Sequence, residues 1–263
     1  MLKKLSSIPW KTLLLELLIV FVGVFLAFEF NTFSENQKVR SEKEKIMTSL
    51  KNELDVIGLS FGNMGAFQKS KVAEWDSLLR IDQFGDFYDW RYIQPQYNYA
   101  VLEYALDTRD SRIIDFQLYE KLVKVYQEIK KLEYTENLMT EWGGQFNNMP
   151  TNIDMKDTDY QYRLADNRFA FYKFTKYAAD RASILQRLPE YARAALELVN
   201  KEFSPKQRLE LEKEVLRTIA NRIGTLKDSQ VWEAVQNMAS THYTHISESE
   251  WEALRQELLA ESN

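Results

Sequence analysis

No cysteine occurs among the 263 residues. This removes disulfides, thiolate metal sites and thiol catalysis, and leaves the redox character of the compartment open. Proline and glycine are scarce, at five and eight residues. A turn-rich β architecture needs more of both, so the fold class is mostly α. An excess of basic charge is also missing. The net charge of −5 argues against wrapping nucleic acid, a task that needs a basic surface. No catalytic or nucleotide-binding signature occurs. The glycines at Gly58, Gly62 and Gly65 are not followed by Lys-Ser or Lys-Thr and no strand precedes them, so they do not form a phosphate loop. The expectation is a protein that is not an enzyme and has no cofactor and no metal.

What is present is one long apolar run near the start. Leu13–Phe30, LLLELLIVFVGVFLAFEF, contains only two charged residues, Glu16 and Glu29. As a helix it spans roughly 27 Å, close to the ~30 Å hydrocarbon layer of a bilayer. Few helices of soluble proteins are apolar on every face, so a membrane span is expected. Lys3, Lys4 and Lys11 precede the run as in a signal peptide, but Phe25-Leu26-Ala27-Phe28-Glu29-Phe30 offers no small-x-small cleavage pattern. The expectation is an uncleaved single-pass signal anchor.

Glu16, Val20, Gly23 and Ala27 share one face of that helix. Gly23 and Ala27 form a small-xxx-small pair, which lets a second helix approach closely. A carboxyl one turn inside the hydrocarbon costs about 2.5–3.5 kcal/mol on insertion scales unless it is protonated or paired. Burying this face against another helix relieves that cost, so self-association or a membrane protein partner is expected there. The competing reading has Glu16 reaching the headgroups near Lys11, with Gly23 incidental. Glu29 lies on the opposite face, near the far interface.

The pattern Glu16-x-x-Ile19-Val20-x-x-Gly23-Val24-x-Leu26-Ala27-Phe28-x-x-Asn31-x-Phe33, with a charged run after it, resembles the amino-terminal anchor of a family of uncharacterised bacterial single-pass membrane proteins. A looser likeness covers Asn98–Tyr126, where the family carries a helix, a short turn and a helix ending in tyrosine. Family members often have glycine in that turn, and this chain has Asp110-Ser111 instead. The resemblance covers residues 11–45 and, loosely, 97–130. It implies a helical protein anchored in the bacterial inner membrane with no assigned activity.

Basic residues nearly balance across the span, Lys3, Lys4 and Lys11 before it and Lys38, Arg40, Lys43 and Lys45 after it. A short basic tail ahead of a first helix tends to stay in the cytoplasm, and long domains translocate largely regardless of charge. The bulk of the chain is therefore expected on the extracytoplasmic, periplasmic side.

The expected organisation is a basic tail (1–11), a transmembrane anchor (12–33), a stalk and first bundle helix (34–81), an antiparallel helical bundle (82–223) and short C-terminal helices (224–263). Ile46, Leu50, Leu54, Ile57 and Phe61 repeat at four-four-three-four spacing, a core or coiled-coil stripe. The three glycines mark either a bend or close helix packing. The apolar spacing then resumes with Phe67, Val72, Trp75 and Leu78–Leu79. A short helix over Tyr97–Asp107 follows, then a long one capped by Asp115 and ending near Gly143-Gly144. Phe146–Asn167, with Asp154, Asp157 and Asp159, reads as a solvated connector. It lacks the glycine and terminal Glu of a calcium loop. Asp166 or Asn167 is expected to cap the next helix, which carries Phe169, Tyr172, Phe174 and Tyr177. Pro189 marks a kink in it or the start of a new helix. Ser204-Pro205 starts another, and Ser247 with Glu250 fits a capping box.

Two places stand out as candidate sites. Phe84, Phe87, Tyr88, Trp90 and Tyr92 crowd one connector and are the first choice for a ligand or partner surface, though Asp82, Asp86 and Asp89 disfavour nucleic acid there. His242 and His245 are the only histidines, and their spacing could hold a metal on a helix. They lie in a Ser/Thr-rich turn region, no third histidine completes a site, and Glu248 and Glu250 have a simpler capping role, so no metal is assigned. The functional expectation is a membrane-anchored helical interaction, sensor or scaffold protein. The alternative is a subunit of a membrane complex that uses Glu16 and the Gly23/Ala27 face for helix contact or protonation. A membrane-tethered hydrolase is the least favoured reading.

Overall fold

The computed structural model describes residues 10–81, 83, 99–108, 110–145, 156–223 and 229–261. Among them there are seven α-helices and no strand: α1 (Trp10–Leu79), α2 (Tyr99–Asp107), α3 (Phe116–Gly144), α4 (Thr158–Val199), α5 (Pro205–Ile223), α6 (Ser229–Ser240) and α7 (Glu248–Glu261). A 3-10 turn, Asn200–Glu202, follows α4. The chain forms two units, Met1–Lys45 and Ile46–Asn263.

In the first unit the described residues belong to α1. No Gly or Pro interrupts Ser34–Asp55, and α1 accordingly continues past the apolar run without a break. The apolar run is exposed along its length; Leu17, Val20 and Phe28 are 66%, 63% and 67% exposed. This is one helix long and apolar enough to cross a membrane.

In the second unit the stripe on α1 is buried as its spacing predicts, with Leu50, Leu54, Ile57 and Phe61 fully enclosed. After Gly65 Trp75 is buried and Val72, Leu78 and Leu79 pack around it as the spacing expects, and one position differs. Phe67 is exposed and Gln68 is buried in its place, because Gln68 accepts a hydrogen bond from the buried Arg181. Gly58 and Gly65 serve close packing, whereas Gly62 has room for a Cβ. A Cβ at Gly65 would sit 3.1 Å from the Ala182 carbonyl oxygen of α4.

α3 begins as expected, with Asp115 accepting from the Leu118 amide at 2.8 Å, and ends at Gly144. It packs along α4, and Tyr126 ties α2 to it by donating to Glu103 at 2.8 Å. The start of α4 corrects the sequence reading. Asp157, assigned to the solvated loop, is its cap and accepts from the Asp159 amide at 2.7 Å. Asp159 lies in the first turn, where a carboxylate is favoured by the helix dipole, and Asn167 is buried inside the helix. On the inward face Phe174 is buried and Tyr177 packs beside it, as the spacing expects. Phe171 and Phe174 enclose Trp75 with Met139 and Ala178, while Phe169 and Tyr172 are exposed. Pro189 lies inside α4 and starts no new helix.

α5 starts at Pro205 with Ser204 and Gln207 exchanging hydrogen bonds across the first turn. A second apolar core joins α5, α6 and α7 to Leu59 of α1, centred on Leu216, Trp232, Val235, Tyr243 and Trp251.

Candidate functional site

Glu16, Val20, Gly23 and Ala27 are all exposed on α1. A Cβ at Gly23 would meet nothing within 4 Å among the described residues. Phe84, Phe87, Tyr88, Trp90 and Tyr92 lie outside the described residues.

Two buried charge clusters in the second unit escaped the sequence reading. In the first, Arg181 of α4 donates to Glu136 of α3 and to Gln68 of α1, each at 2.8 Å. Arg181 has no exposed surface. This cluster joins three helices and is buried.

The second cluster is built from α1, α5 and the connector between α6 and α7. Lys51, Asp55 and Gly58 follow one another at helical spacing beside the apolar stripe of α1. Lys51 Nζ donates to Asp55 Oδ2 at 2.7 Å and to Glu212 Oε1 of α5 at 3.2 Å. His242 Nε2 meets Asp55 Oδ1 at 2.9 Å, and His245 Nε2 meets Glu212 Oε2 at 3.0 Å. Ionised carboxylates only accept, so each imidazole carries its proton on Nε2 and donates it. The result is an unbroken chain of hydrogen bonds, His245–Glu212–Lys51–Asp55–His242.

Local structure places both histidines. The α6 helix ends at Ser240, and the His242 and Tyr243 amides both return to the Ala239 carbonyl. Tyr243 and Ile246 sink into the apolar core. Ser247 then opens the expected capping box: its amide and hydroxyl donate to Glu250 Oε2 at 2.7 and 2.6 Å. Those two bonds hold the Glu250 carboxyl below its usual range, and the nearby His245 lowers it further. Gly58 makes room for the imidazole, since a Cβ there would lie 2.2 Å from His242 Cε1.

Burial across the cluster is graded. Lys51 and Asp55 are 0% exposed, Glu212 1%, and the side chains of His242 and His245 3% and 49%. His245 is therefore the member that water reaches. Burial, together with the Asp55 and Glu212 carboxylates, pushes the Tyr243 hydroxyl well above its usual range, so it stays a neutral phenol. Among the described residues, His242 Nδ1 is buried without a hydrogen-bond partner.

The two histidines weighed as a metal pair are thus separated by function, each taken by a different carboxylate. Among the described residues no group of three or more His, Asp or Glu is arranged to hold a metal ion. The Lys51 ammonium occupies the position between the carboxylates. Lys51, Asp55 and Glu212 carried no signal as isolated charges; only the i, i+4, i+7 line Lys51-Asp55-Gly58 flanking the core stripe could have marked them. Compared with known proteins, the chain matches no family model, no curated protein and no solved structure.

Proposed function

We propose that this chain is a membrane-anchored interaction protein, a sensor or scaffold whose helical bundle is held at a bilayer by the apolar part of α1. The observation that carries this reading is the exposure of that segment: among the described residues none of its most apolar window is buried. An apolar surface of this size does not stay in water unaided. The resemblance of the Glu16–Phe33 pattern to anchors of bacterial single-pass proteins supports an inner-membrane location, and the short basic tail supports a periplasmic bundle. No enzymatic step is assigned.

The Glu16, Val20, Gly23 and Ala27 face supports a second element of the proposal, pairing with another membrane helix, either a second copy or a partner subunit. The rival reading, in which the Glu16 carboxyl itself does the work of a membrane complex, rests on the same residues. Fractionation tests the anchor. The full-length protein is expected to stay in the membrane pellet after an alkaline carbonate wash and to be released by detergent. Its appearance in the aqueous fraction, uncleaved and monodisperse, would overturn the reading.

A further inference from the structure

Beyond the anchoring role, and independent of it, we propose that the hollow between the end of α1 and the first half of α4 is a binding site for a small aromatic carboxylate.

The hollow forms where α1 stops alongside α4. The two helices run antiparallel, with Gly62 beside Pro189, Gln68 beside Arg181, and Trp75 beside Phe171 and Phe174. Continuing that register brings Leu79, the last residue of α1, to the Ala165–Tyr172 stretch of α4, a helix that begins at Thr158. A hollow of about 530 Å³ lies there, lined by Leu79, Arg80, Ala165, Arg168, Phe169 and Tyr172. The four α4 residues follow one another at i, i+3, i+4 and i+7, so they share one face. Phe169 and Tyr172 are 53% and 48% exposed on it.

Shape and charge together select the ligand. Small-molecule sites are concave, mostly apolar, roughly 300–1,000 Å³ in volume, and carry a few polar groups that fix orientation. Here the apolar wall is Leu79, Phe169 and Tyr172. Trp142 of α3 meets the Phe169 ring edge-on at 5.5 Å, and Lys173 Nζ stands 5.4 Å from the same ring's centroid, so this wall is braced from two sides. The charge of the lining is of one sign: two guanidiniums and no carboxylate. Arginine keeps its charge at every working pH, and two like charges beside an apolar hollow repel each other more than they would in bulk water. An anion relieves that repulsion, and a carboxylate matches the planar fork of arginine. The negative end of the α1 dipole works against an anion. Part of it is already satisfied, because the Leu78 carbonyl accepts from the Ile81 and Gln83 amides. A bare inorganic anion would leave the apolar wall unused. An aromatic body uses it, since rings pack edge-on or offset against Phe and Tyr.

Isothermal titration of the full-length protein in lipid nanodiscs, with empty nanodiscs as the blank, tests the site with 2-naphthoate and its neutral analogue 2-naphthamide. Saturable binding of 2-naphthoate is expected, with the amide at least about tenfold weaker, the difference between a charge-assisted and a neutral hydrogen bond. Arg80→Gln combined with Arg168→Gln should bring the acid down to the affinity of the amide. Ala165→Trp should abolish binding of both by filling the hollow. These three positions are exposed, and an unchanged thermal midpoint of the helical signal confirms that each variant is folded. Absence of saturable 2-naphthoate binding up to about 10 mM overturns the proposal. Equal affinity for acid and amide overturns it as well, and so does full binding in a folded Ala165→Trp protein.

Discussion

Arg181 and Lys51 each put a full positive charge where water does not reach, and each is held by carboxylates from the chain itself. Such pairs contribute little net stability over an apolar replacement, but breaking one is costly because the surviving partner stays buried and unpaired. Arg181→Met removes the guanidinium from Glu136, which is only 6% exposed. It is expected to destabilise the protein by about 3–5 kcal/mol, read as a drop in the urea midpoint of the helical signal. Arg181→Met combined with Glu136→Leu should recover most of that loss. A double variant no more stable than the single one would show that Arg181 acts through packing rather than charge.

At the scale of elements, two glycines one turn apart on α1 behave oppositely against α4. A Cβ at Gly62 would lie 3.7 Å from the Pro189 ring, an ordinary contact, whereas at Gly65 it would press on Gln186 Cγ at 2.9 Å and on the Ala182 carbonyl at 3.1 Å. Gly62→Ala should therefore stabilise by up to about 1 kcal/mol through helix propensity. Gly65→Ala has the same propensity gain but forces α4 outward, and a net loss on the order of 1 kcal/mol is expected. Thermal unfolding of the two variants side by side checks the sign. These glycines also show what the sequence could and could not convey. The α1 core stripe, the Asp115 and Ser247 caps and the Ser204-Pro205 start were legible because spacing and capping are local. The start of α4 was misread because Asp157 and Asp159 look the same in a loop as at a helix N-terminus. The buried polar positions were illegible for a different reason. Gln68, Arg181, Lys51 and Glu212 read as surface residues until tertiary contacts supply their partners, and Asp55 and His242 stand 187 residues apart.

At the scale of the whole molecule, the exposed Glu16–Ala27 face of the apolar part of α1 decides between the two readings proposed above, tether and complex subunit. Glu16 and Gly23 both lie on it, but they do different things: Gly23 permits close approach by its size, and Glu16 carries a carboxyl that hydrocarbon disfavours. If the face is a contact surface, Gly23→Leu should abolish self-association in membranes, read as energy transfer between labelled copies, because the added side chain holds the backbones apart. Anchoring should be unaffected, since leucine only adds to the hydropathy of the span. Glu16→Gln then separates the two readings. A contact that uses the side chain as a hydrogen-bonding group survives it, with transfer efficiency close to that of the wild type. A function that depends on a protonatable group is lost while association persists. Wild-type association in both Gly23→Leu and Glu16→Gln would mean that the face carries no contact at all, and that Glu16 is simply solvated among the headgroups near Lys11.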